Sequence, residues 1–179
     1  MNKKINIKSV AVTALFTALI SALSQVAFPT PIGVSVTLQT FAIAVTAFLL
    51  GAKRATIAAI CYGILGAIGV PVFAGFAAGL GTVLGPTGGF IVAFPVFALV
   101  LAFAVYVNRP LNKILICLLA LILLYIAGIL QFIIVTGNSV KVAISAFTLY
   151  FVKDILVVAA AYFLCVRIRP RVSKFIQSK

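Results

Sequence analysis

A chain of 179 residues that is 65% hydrophobic and 8% charged, with fourteen Lys and Arg against one acid and no histidine, lies far from the half-apolar, quarter-charged make-up of soluble domains. It reads as an all-α polytopic membrane protein: a hydrocarbon core about 30 Å thick takes about 20 apolar residues per helical crossing, which leaves room for about six crossings and no soluble domain. The same inventory lacks a general acid–base pair, a His-based triad and a zinc constellation, so no enzyme, cofactor or metal site is expected.

Six helices are predicted, at roughly 9–28, 36–51, 55–70, 87–107, 112–135 and 151–168, forming a single domain over residues 1–179. The first follows the basic start MNKKINIKSV and contains ALS at Ala22–Ser24, which imitates a secretory signal with its cleavage site. Equally apolar segments follow, so an uncleaved first helix is expected. It carries Ala14, Ala18 and Ala22 at steps of four, with Ala11 beside them. Small residues so spaced make a flat strip that another helix can approach closely, and van der Waals packing is the main force joining helices in lipid. The strip either packs within the bundle or docks onto a partner membrane subunit.

The gap FPTPIGVSVTLQT leads into the second helix and places Gln39, an uncharged donor and acceptor, near that helix's start. A ligand contact and an interhelical hydrogen bond are equal readings of Gln39. A tight basic turn at Lys53 and Arg54 joins helices two and three, and then GVPVFAGFAAGLGTVLGPTGGF breaks the helical pattern with proline and glycine. Non-helical backbone at membrane depth is tolerated only where it is buried in protein or lines a cavity. Residues 71–86 therefore form either a pocket opening outward or a plain solvent-exposed loop. GLGTVLGPTGG is glycine-rich but no lysine follows, so it makes no nucleotide cradle, and the chain cannot hydrolyse ATP by itself. Cys61, Cys117 and Cys165 lie far apart in apolar segments and read as buried small hydrophobes.

Arg109 and Lys113 mark the turn before helix five, and the gap 136–150 holds Lys141. With Lys3, Lys4 and Lys8 at one end, and Arg167, Arg169, Arg171, Lys174 and Lys179 at the other, basic-rich and basic-poor gaps alternate strictly. Retention of Lys and Arg on the cytoplasmic side then places both termini in the cytoplasm. Charge distributed in this way sets orientation, and no nucleic-acid partner is expected.

The last helix opens on FVKDILVV, with Asp154, the single acid, beside Lys153. A carboxylate at a helix centre costs about 2.5–3.5 kcal/mol on insertion, so it should face the interior or water and have a partner. Three readings stand. Asp154 caps the N-terminus of helix six; it is neutralised by Lys153, although neighbouring helical residues point about 100° apart; or it accepts N–H groups from a ligand at the outer mouth. Tyr150 and Phe151 form an apolar wall for a ring or mark the interfacial aromatic belt.

Taken together, PIGVSVTLQTFAIAVTAFLLGAKRATIAAICYGILGAIGVPVFAG, GLGTVLGPTGGF and FVKDILVV resemble the BioY family of biotin transporters, the membrane-embedded S components of energy-coupling-factor (ECF) importers. The resemblance is best over residues 29–95 and looser through 128–170. It implies a six-helix bundle with both termini cytoplasmic, in a bacterial plasma membrane, holding biotin near the outer face beneath the first outer loop. It also implies partners: a T component, two ATPase subunits and the surrounding lipid, with Ala14, Ala18 and Ala22 resembling the docking motif. The family's aspartate falls on Asp154, expected to accept the ureido N–H bonds. Gln39, Thr87, Lys153 and Tyr150 are expected around the ligand, with Phe73, Gly75 and Gly79 enclosing its ring. The family's lysine three residues on falls on Val157, which leaves Lys153 as a substitute cation, and its usual tyrosine after GPTGG is Phe90 here. A solitary biotin carrier without ATPases, and a non-transporting membrane scaffold, are the alternatives.

Overall fold

The computed structural model describes residues 7–28, 30 and 34–177. Lys3, Lys4 and Lys179, and residues 29 and 31–33 of the first outer gap, lie outside the described residues. Helix α1 spans Ile7–Ser24 and ends four residues sooner than predicted. Residues Ala27–Phe28 instead form a short strand, β1, antiparallel to β2 at Val36–Thr37, with Ala27 opposite Thr37 and Phe28 opposite Val36. Pro29 and Pro31 remove N–H donors between the two, and β-branched Val36 and Thr37 suit a strand.

Helix α2, Gln39–Leu50, is buried on nearly every side from Ala42 onward. An all-apolar helix belongs at the centre of a bundle. Gly51, at φ 75°, turns the chain into α3, Ala52–Ala67; a side chain there would collide with the Tyr106 hydroxyl. The second outer gap contains a 3₁₀ turn at Ala74–Phe76 and a one-turn helix, α4, at Leu80–Val83. Helix α5, Gly88–Ala102, continues into a 3₁₀ turn at Phe103–Val105. Helix α6 spans Pro110–Thr136, with proline in its first turn and left-handed Gly137 at its end, whose N–H donates to the Ile133 carbonyl at 2.9 Å.

The largest departure from the sequence reading is α7. It spans Val140–Gln177, so the predicted gap at 136–150 shrinks to residues 137–139 and the helix passes through Pro170. From Asn138 to Arg169 the chain has neither glycine nor proline, and the polar residues that suggest a loop are accommodated by the helix. Ser145 and Thr148 each donate to the carbonyl four residues back, at 2.9 and 2.8 Å.

Helix α2 packs on α7 and α5, α5 on α6 and α3, and α1 on α3 and α2. Among the described residues four helices are long and apolar enough to span a bilayer: α1, Gly88–Val105, α6 and α7. With the broad exposed apolar surface of these helices, this makes the chain a multi-pass membrane protein. Cys165 is buried and Cys117 half-buried, whereas Cys61 is exposed on α3, against expectation, where it lines the groove beside α1.

Glycines permit close packing at several points, between helices at Gly89 and between a helix and the outer gap at Gly66. A Cβ at Gly89 would collide with the Ala127 carbonyl of α6, and one at Gly66 with the Phe73 ring. Backbone gives way less readily than a side chain, so Gly89→Ala is expected to lower stability by about 1–3 kcal/mol as an overpacking change. Gly63→Ala, with nothing within 4 Å of the added methyl, is expected to be neutral or slightly stabilising. Thermal unfolding in detergent compares them, and equal melting points would refute the close α5–α6 approach.

Candidate functional site

Tyr150, Lys153 and Asp154 are spaced i, i+3 and i+4, which places them on one face of α7. That face meets the start of α2 and strand β2. With the second outer gap, α5 and α6 it encloses a cavity of about 190 Å3 whose wall includes Gln39, Phe73, Thr87, Tyr150, Lys153 and Asp154. Six of the eight predicted ligand-site residues thus converge. Gly75 and Gly79 are not on the wall. At φ 63° and 86° they bend the 71–86 segment, a conformation glycine adopts without steric cost.

Asp154 is 4% exposed. Its Oδ2 accepts hydrogen bonds from Tyr125 Oη at 2.7 Å and Thr40 Oγ1 at 3.3 Å. The capping reading fails, because α7 begins at Val140 and Asp154 therefore lies about four turns inside it. The Lys153 reading holds despite the 100° offset: the flexible stem curls back and sets Nζ 2.7 Å from Oδ1. That contact is a charge pair without hydrogen-bond geometry, and Oδ1 has no hydrogen-bond partner among the described residues. Lys153 Nζ also donates to the Thr37 carbonyl at 3.5 Å. Buried ions are retained when paired, and here the pairing leaves one carboxylate oxygen able to accept further hydrogen bonds.

Gln39 fulfils the interhelical reading while lining the cavity. Its Nε2 donates to Tyr62 Oη of α3 at 2.6 Å, and its Oε1 accepts from Thr37 Oγ1 at 3.0 Å. Tyr62 is fully buried, edge-on to Phe73 with centroids 5.5 Å apart. Tyr150 is buried and does not belong to an interfacial belt. Its hydroxyl donates to the Val34 carbonyl at 2.6 Å and meets Thr30 Oγ1 at 2.7 Å, fastening the first outer gap to α7. Phe151 is off the cavity wall and packs edge-on against Tyr125 at 5.1 Å.

The second outer gap is no plain loop. Ala74, Ala77 and Thr82 face the cavity, and two glutamines tie the segment down. Gln131 of α6 donates to the Val83 and Gly85 carbonyls, each at 2.8 Å. Gln25 accepts from the Phe76 N–H at 2.8 Å. Phe90, Phe94 and Phe147 complete the wall, with the Phe90 ring 5.4 Å from Tyr125 and 5.3 Å from Phe147.

Sequence reasoning missed Tyr125, Thr40, Phe94 and Phe147, and noted Phe90 only as a replaced tyrosine. Tyr125 did leave a signal, as the lone tyrosine in a 27-residue apolar helix. Thr40 adjoins Gln39 and left none.

Ala11, Ala14, Ala18 and Ala22 are all exposed, so the strip on α1 is not consumed by packing within this bundle. Ala14 and Ala18 border a groove of about 1290 Å3 beside α3.

The cavity combines an acceptor oxygen, an ammonium and an amide with aromatic walls, the pattern of a small-molecule site.

The family model described as "BioY family" matches residues 1–174. Among curated proteins, the chain is 39% identical over 124 residues to the "Probable biotin transporter BioY" of Pyrococcus horikoshii, covering 68% of this chain and 72% of that protein. It is 35% identical over 143 residues to the "Biotin transporter BioY" of Rhodobacter capsulatus, covering 75% and 74%. The "Biotin transporter BioY2" of Lactococcus lactis is 41% identical over 98 residues, covering 55% of this chain and 53% of that one. A crystal structure of the S-component for biotin from an ECF-type ABC transporter superposes with a TM-score of 0.83 over 95% of both chains, at 23% identity. That likeness shows the fold.

Proposed function

The chain belongs to the BioY family, and from that premise we propose that it is the biotin-binding S component of an ECF-type importer, one substrate-binding membrane domain over residues 1–179. In this reading α1, α2, α3, α5, α6 and α7 cross a bacterial plasma membrane with both termini in the cytoplasm, where the basic residues gather. Biotin enters from outside.

One observation carries the assignment of the site: Asp154 Oδ1, buried at the cavity wall and met among the described residues by the Lys153 ammonium alone. It accepts the ureido N–H groups of biotin, while Tyr125 and Thr40 hold Oδ2 and so fix the carboxylate's plane. Gln39 adds a polar contact, Thr87 another, and Phe73 with the opposite phenylalanines sandwiches the bicyclic ring. Lys153, 2.7 Å from Oδ1 of Asp154, is the counter-ion of that carboxylate, and it is the cation that swings to the valerate carboxylate when the ureido group takes its place at Asp154. Val157, at the position of the family's lysine, is off the cavity wall, while Lys153 lies on it.

Transport needs an energy source outside this chain. A T component and two ATPases supply it, docking along Ala14, Ala18 and Ala22, and the exposure of that strip favours partner assembly over the solitary carrier.

Calorimetric titration of the purified chain is expected to show one biotin bound per chain, with biotin also recovered by mass spectrometry of the native preparation. An absence of binding, with another molecule or none recovered, would overturn the biotin reading.

A further inference from the structure

A second cavity, about 520 Å3, lies where α6 and α7 meet the 3₁₀ turn after α5, and Lys113 and Arg169 both line it. It is far from the ligand site: Arg169 follows Asp154 by fifteen residues on α7, about 22 Å along a helix. Both cations are held in place without being neutralised. Lys113 Nζ donates to Tyr162 Oη at 2.8 Å and sits 5.5 Å from the ring centre. Arg169 lies 5.2 Å over the Tyr106 ring and donates to the Val105 carbonyl at 3.4 Å. An aromatic face positions a cation but leaves its charge in force. No side-chain carboxylate can answer it, because the chain's one acid is Asp154. Lysine has three donors and arginine five, and among the described residues most of these have no acceptor.

Two fixed cations beside one cavity call for an anion. Phe48, Val105, Cys165 and Val166 give the wall an apolar part, and Phe103, Tyr106, Leu111 and Phe163, close to the lining residues in sequence, are exposed, as a lipid-facing surface would be. We infer that Lys113 and Arg169 form a phosphate site that takes the headgroup of an anionic phospholipid from the surrounding leaflet, its glycerol resting on the apolar wall. Basic pockets between helices at the headgroup level hold lipid phosphates in this way. The lipid locks the ends of α6 and α7 together, and its binding is independent of biotin.

Native mass spectrometry of the full chain, titrated with phosphatidylglycerol, phosphatidylcholine or inorganic phosphate, tests this. Wild type is expected to retain one phosphatidylglycerol in clear preference to phosphatidylcholine. Lys113→Gln with Arg169→Gln should weaken that retention by roughly thirtyfold, the loss of two headgroup-facing cations, with biotin titration unchanged as proof of folding. Should the double variant not fold, Arg169→Gln alone is expected to lose about fivefold. The exposed pair Arg167→Gln with Arg171→Gln, carrying the same charge change, should retain the lipid. Undiminished retention in the Lys113 and Arg169 variants would overturn the site. An equal loss in the Arg167 and Arg171 pair would reduce it to a general basic surface. Displacement of the lipid by equimolar inorganic phosphate would make it a site for free anions instead.

Discussion

Asp154→Asn is expected to weaken biotin binding by about a hundredfold or more in calorimetric titration, with the fold retained. The substitution keeps shape and exchanges one acceptor oxygen for an NH2 donor. If the amide oxygen takes the Oδ2 position and accepts from Tyr125 and Thr40, the NH2 group faces the ureido N–H groups, donor against donor. If the amide flips, the ligand recovers its acceptor but the Tyr125 hydroxyl loses its own in a buried place. Neither orientation serves both neighbours. Truncating one partner of a buried hydrogen-bonded charge pair costs about 2–5 kcal/mol, which is roughly thirtyfold to several thousandfold in affinity. Lys153 loses its counter-ion as well, but its side chain is 27% exposed, so the ammonium can turn toward water and the bundle should survive. Equal affinity of variant and wild type would remove Asp154 from the site, and a lowered melting point with normal affinity would assign it a packing role alone.

The sequence made the helical, membrane-spanning class legible because composition at this extreme leaves few alternatives. Asp154 was legible for a related reason: an isolated carboxylate in apolar surroundings is too costly to be kept without a partner. Of its partners the adjacent Lys153 was legible too, and Tyr125 and Thr40 were not. They come from α6 and α2, and nothing in local spacing says that these helices meet α7 at one carboxylate. The boundary of α7 misled for a physical reason. Polar residues between Val140 and Tyr150 resemble a loop, yet serine and threonine satisfy their hydroxyls on the helix's own carbonyls, so polarity without glycine or proline did not end the helix. Gly75 and Gly79 have a local role that the sequence did not single out: both take positive φ in the bend of the segment, and neither is on the cavity wall.

The second large effect is expected on assembly. Ala14→Leu with Ala18→Leu should abolish recovery of the T component with the tagged chain, and reduce ATP-dependent biotin uptake in proteoliposomes to the level seen without ATP, while calorimetric biotin binding is unchanged. Both residues are exposed on α1, and neither lies on the wall of the ligand cavity, so the added methylenes disturb neither the bundle nor the site. Between helices in lipid there is no hydrophobic gain to compensate a poorer fit, because the acyl chains are as apolar as leucine. A leucine that separates two backbones therefore forfeits dispersion contacts along the whole strip. At about 1–3 kcal/mol for each overpacked position, the pair weakens docking by roughly thirtyfold to many thousandfold. If the T component were recovered undiminished, the strip would face lipid alone and the partner would have to bind another surface. If biotin still entered without ATP or T component, the solitary carrier would be the correct account, with Asp154 keeping the same role in it.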